Sequence, residues 1–94
     1  MQEFEVMYIV SPIDKTIQEE TIKKINDVIT KNNGQVSSTD IWGLKRLAYK
    51  IKDFDDGYYV LTKFSGTSET IKELDRILKL DENILRHVIV KKAA

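Results

Sequence analysis

The order in which the hydrophobic period changes along this chain constrains its fold more than any other feature. Phe4 to Val10 (FEVMYIV) is β-branched, aromatic and almost uninterrupted after Glu5. That is the pattern of a strand shielded on much of both faces, and it stops at Ser11-Pro12. The period then becomes helical. Ile22, Ile25, Val28 and Ile29 fall on one face, Thr16 followed by Glu19 reads as a capping box, and Asn33-Gly34 supplies a stop. From Val36 the residues are β-formers again, and from Leu47 the alternation is strict. Leu47, Tyr49 and Ile51 lie on one side, with Arg46, Ala48, Lys50 and Lys52 on the other. Trp42 and Leu44 have the opposite parity, so a continuous strand requires an extra residue near Gly43 to Arg46, which a β-bulge would supply.

The second half repeats the plan. Asp53-Phe54-Asp55-Asp56-Gly57 is a turn by composition, and Tyr58 to Phe64 is the next strand, making an antiparallel hairpin. Ser65 to Ser68 supply turn and cap residues. Ile71, Leu74, Ile77 and Leu78 then mark a second amphipathic helix, with Glu69 and Glu73 near its start and Lys79 near its end. Ile84 to Val90 closes the chain as a strand, followed by a short basic tail, 91–94. The order βαββαβ with right-handed crossovers predicts an α+β fold: a ferredoxin-like four-stranded antiparallel sheet with two helices on one face and the other face open. Residues 1–94 are expected to form one domain.

Composition narrows the chemistry. With no Cys and one His, disulfides, thiolate metal sites and cysteine nucleophiles are excluded, and a cytoplasmic setting is the expectation. The start lacks a basic signal-peptide region, and no apolar run approaches the roughly 20 residues that span a bilayer. The four Gly are isolated, so no glycine loop cradles phosphate. Asp53, Asp55 and Asp56 lack the downstream Glu of a calcium loop, and His87 has no nucleophile beside it in the sequence. No enzyme, cofactor, metal or small-molecule substrate is expected. Gly57 to Phe64 carries aromatics but lacks the RNA-recognition signature of a third strand.

The formal net charge is zero, from 15 bases and 15 acids, yet it is unevenly distributed. Residues 1–44 carry four bases against seven acids, and residues 45–94 carry eleven bases against eight acids. Two stretches are free of acids. One holds Lys45, Arg46, Lys50 and Lys52, and the other holds Arg86, His87, Lys91 and Lys92. These are candidate phosphate-facing positions, although bases also blunt exposed sheet edges.

Three segments together carry a likeness: Trp42 to Ile51 (WGLKRLAYKI), Gly57 to Leu61 (GYYVL), and Glu73 to Arg76 running on to Ile84 to Lys92 (ILRHVIVKK). They closely resemble the bacterial small-subunit ribosomal protein six family, and the opening strand Phe4 to Ile9 is similar too. Lys50 departs from the family tract, where many relatives have Pro. The resemblance implies a structural, non-enzymatic protein that binds small-subunit ribosomal RNA in the central domain, the platform. It also implies a heterodimer with a small basic partner, small-subunit protein eighteen. Carried onto this sequence, Lys45, Arg46, Lys50, Lys52, Arg86, His87, Lys91 and Lys92 become the expected RNA contacts. Trp42, Leu47 and Tyr49 become the expected partner contacts, although Trp42 and Tyr49 read equally well as sheet-packing aromatics. Arg46 is the leading single RNA contact, because guanidinium pairs bidentately with phosphate oxygens.

Overall fold

The computed structural model describes residues 1–92. Its elements run β1 (Gln2–Val10), α1 (Lys15–Lys31), β2 (Gln35–Ile51), β3 (Phe54–Gly66), α2 (Ser68–Leu80) and β4 (Ile84–Lys91). The strands form one antiparallel sheet in the order β2-β3-β1-β4. Two split βαβ units therefore interleave, giving the ferredoxin-like arrangement expected from the element order.

Alternation along β1 sends Phe4, Val6, Tyr8 and Val10 to the helical side, where they meet Ile25 and Ile29 of α1 and Leu74 and Leu78 of α2. Both helices thus cover the same face. Val60 and Phe64 of β3 complete this core, and the Phe64 ring stacks on Phe4 with centroids 5.6 Å apart. Truncating any of these buried aliphatic residues to Ala is expected to cost about 2–5 kcal/mol. Lys24 ties the middle of α1 to Asp81, just beyond α2, at 3.1 Å.

Several local readings are corrected. Asp14, not Thr16, caps α1: its Oδ1 accepts the Thr16 N–H at 2.7 Å, so the helix begins before the presumed capping box. At α2 the cap is Thr67, inside the stretch Ser65 to Ser68 expected to supply it, in a reciprocal box with Thr70. The Thr70 hydroxyl also donates to the carbonyl of Asn32 at 2.6 Å, joining the end of α1 to the start of α2. The turn placed at Asp53 to Gly57 is only two residues long. Lys52 and Asp53 both have positive φ (50° and 69°), and Ile51 pairs with Phe54 across them, so β3 starts before the Asp-rich run.

The expected bulge exists, but it lies between Ile41 and Gly43, with Gly43 at φ 83°. Because it precedes Leu44, it does not bring Leu44 into phase with Leu47. Leu44 pairs with Tyr58 on the helical side and stays 62% exposed at the sheet edge. The basic tail is shorter than expected: Lys91 belongs to β4, the Lys92 N–H donates to the Glu3 carbonyl at 2.9 Å, and the last two residues, 93–94, lie outside the described residues.

The face away from the helices is not wholly open. Ile9, Leu47 and Leu85 are buried there in a second cluster, with Ile51, Phe54 and Tyr59 packed against it. The end of the β2–β3 hairpin therefore curls back over β1 toward β4. Gly57 makes this possible, because a Cβ at that position would stand 2.2 Å from Cγ2 of Ile9.

Candidate nucleic-acid interface

The curled hairpin end brings the two basic stretches together at one corner. Arg86 donates to the Tyr49 hydroxyl, and the Lys52 ammonium donates to the Ile84 carbonyl at 3.5 Å. β2 and β4, opposite edges of the sheet, are thereby joined across its face. Leu47 holds the hairpin down from within: it is 8% exposed and packs with Ile9 and Leu85, leaving little surface for a partner.

Around this corner Lys45, Arg46 and Lys50 are exposed and form no ion pair among the described residues. Strand parity divides them. Lys45 pairs with Gly57 on the face of the Leu47 cluster, and Arg46 pairs with Asp56 on the helical side. A stretch free of acids in sequence is therefore not free of them in space, since β3 returns Asp55 and Asp56 alongside it. The hairpin from Lys45 to Asp56 holds four bases and three acids, a mixed surface whose positive field is local.

The other expected RNA contacts are placed differently. His87 pairs with Tyr8 in register, so its ring lies on the helical side, where Nε2 sits 2.9 Å from Oδ1 of Asp75 in α2. Lys79 binds the other oxygen of Asp75 at 2.8 Å. Lys79 first and His87 second hold the Asp75 carboxyl below its usual range. Lys92 is paired with Glu5 at 3.0 Å. Lys91 is exposed at the far end of β4 from Arg86, about 17 Å away at ordinary strand rise. The eight bases thus do not form one patch. Lys45, Arg46, Lys50, Lys52 and Arg86 gather at the hairpin, whereas His87, Lys91 and Lys92 do not.

Of the expected partner contacts, Tyr49 is 61% exposed with its hydroxyl held by Arg86. Trp42 is 46% exposed at the bulge, its indole N–H donating to Asp40 at 3.4 Å. Sequence reasoning missed Ile41 and Leu44, which flank Trp42 and are 52% and 62% exposed. Leu44 was signalled by its parity mismatch with Leu47, whereas Ile41 shares the parity of Leu47 in sequence and reaches the helical side only because the bulge intervenes. Among the described residues no three His, Asp or Glu side chains cluster to hold a metal, and no helix is long and apolar enough to cross a membrane.

Residues 3–91 match the family model for ribosomal protein S6. The crystal structure of the 30S ribosomal protein S6 from Thermotoga maritima is similar to this chain with a TM-score of 0.92 at 22% sequence identity, covering 97% of this chain and 87% of that one. At that identity the likeness speaks to the fold.

Proposed function

Because the chain belongs to the ribosomal protein S6 family, a structural and non-enzymatic component of the small ribosomal subunit, we propose that it binds small-subunit ribosomal RNA of the central domain through its curled hairpin end, as a heterodimer with small-subunit protein eighteen. The observation that carries this reading is the set of exposed bases Lys45, Arg46 and Lys50, without an ion pair among the described residues, on a hairpin pinned by Leu47 and by the Tyr49–Arg86 bond. Cations carried on a pinned hairpin meet phosphate with less backbone ordering cost than cations on a mobile one, and each phosphate neutralised releases counterions from the RNA.

The mechanism is positional. Arg86 is held by Tyr49, Arg46 projects from the opposite face of the strand to Lys45, and the corner presents charge in two directions to a folded RNA. Asp55 and Asp56 limit the affinity of the chain alone. A basic partner seated near Ile41, Trp42 and Leu44 supplies the rest and covers apolar surface that the fold leaves exposed.

The test is binding of a central-domain RNA fragment by the chain alone and by the chain mixed with protein eighteen, with Trp42 fluorescence reporting the partner. The expected result is a shift of Trp42 emission on mixing and RNA affinity at least about tenfold higher for the pair, or roughly 1.4 kcal/mol. Unchanged emission and equal affinities would overturn the heterodimer reading.

A further inference from the structure

Between α2 and β4, on the helical side of the sheet, runs an open groove of about 490 Å³. Its floor is apolar, built from Phe4, Ile71 and Ile89, and Lys72 and Lys91 line it. Neither Lys forms an ion pair among the described residues. The acid in the groove, Asp75, is already engaged by Lys79 and His87. The surplus charge of the groove is therefore positive.

β4 is an edge strand, and its backbone is poised to pair outward. The Lys92 N–H donates inward to Glu3, and the register is unbroken from Lys91 back to Arg86. In an antiparallel ladder hydrogen-bonded pairs alternate, so Val90 and Val88 also bond to β1 while His87, Ile89 and Lys91 direct their N–H and C=O groups away from it. These same three residues turn their side chains to the helical side, into the groove. Three of the four β4 residues that line the groove, all but Val88, thus also carry the free hydrogen-bonding groups. That is the arrangement used when an extended peptide adds to a sheet edge and seats alternate side chains beside a helix.

We propose that this groove receives an extended acidic segment of a protein partner, which joins the sheet as a strand against β4. A carboxylate of the segment lies between Lys72 and Lys91, and an apolar side chain two residues away rests on Ile71, Ile89 and Phe4. The assignment goes beyond the RNA reading and removes Lys91 and His87 from the RNA surface.

The test is an NMR titration of the intact protein with a capped peptide of about seven residues in which Glu and Ile alternate with Thr. The amides of His87, Ile89 and Lys91 are expected to shift and to exchange more slowly with solvent. The double variant Lys72→Glu, Lys91→Glu is expected to bind about tenfold more weakly and to recover binding when the peptide Glu is replaced by Lys. That reciprocal rescue separates lost charge from lost fold. No shift at about millimolar peptide, or shifts confined to the opposite sheet face, would overturn the proposal. So would a double variant that loses RNA affinity in the heterodimer while the parent ignores the peptide, because the groove would then be an RNA surface. RNA binding that depends on Lys45 and Arg46 stands or falls separately.

Discussion

Full burial strips the Tyr8 phenol of water and pushes its pKa well above the usual range. The neighbouring Thr62 hydroxyl relieves this slightly without the alignment of a full hydrogen bond, and both oxygens lack a partner among the described residues. Because the folded pKa exceeds the unfolded value near 10, the folded chain keeps a proton that the unfolded chain sheds. The Tyr8 contribution is therefore fully present below about pH 10 and is lost as pH rises beyond it. Tyr8→Phe, in denaturant titrations at neutral and alkaline pH, is expected to lie within about 1 kcal/mol of the parent at pH 7 and to lose less stability above pH 10. Gly57 makes the opposite case, a position where adding an atom harms. Gly57→Ala drives a methyl into Ile9, and a loss of about 1–3 kcal/mol in the same titration is expected. Local composition marked Gly57 as a turn residue, but its reason for being Gly is a long-range contact with β1. No pattern of near neighbours carries that information.

At the scale of elements, the helices and strands were legible because each buries one periodic face, and period survives any uncertainty about ends. The ends were less legible. Asp14 and Thr16 both have the chemistry of a cap, and the choice between them depends on how the chain leaves β1. The curl of the hairpin was hidden for a similar reason: Leu47, Ile9 and Leu85 come from three strands and meet only once the sheet exists. Leu47→Ala is expected to cost about 2 kcal/mol, at the low end for a buried Leu because the cluster is small. It should also raise hydrogen exchange at Ile51 and Phe54 ahead of the main core, and it should weaken RNA binding without removing a charge. Uniform protection across the molecule would show the hairpin end to be stable without the cluster. The α2–β4 tie gives a pH dependence of known sign. The Asp75 carboxyl is held below its usual range by Lys79 and His87, so its contribution is present above about pH 4 and is lost as pH falls through the folded value. Asp75→Asn is expected to flatten the acid limb of an unfolding curve.

For the whole molecule, a formal charge of zero is compatible with RNA binding because the charge is arranged rather than absent. Five bases converge on one corner, while other bases are tied to acids, as Lys92 is to Glu5 and Lys24 to Asp81. Sequence order located the two basic stretches. It did not show that one strand sends alternate residues to opposite faces, that β3 lays Asp56 beside Arg46, or that His87 turns under the sheet toward α2. Those are facts of register and parity, and they divide a linear run of charge into separate surfaces. The most direct test compares the parent with Lys45→Ala, Arg46→Ala in the heterodimer with protein eighteen, binding a central-domain RNA fragment across a salt series. The double variant should keep its fold and its partner, bind RNA more weakly at every salt concentration, and show a log–log salt dependence shallower by roughly one per base removed. Equal affinity and an unchanged slope would contradict the account.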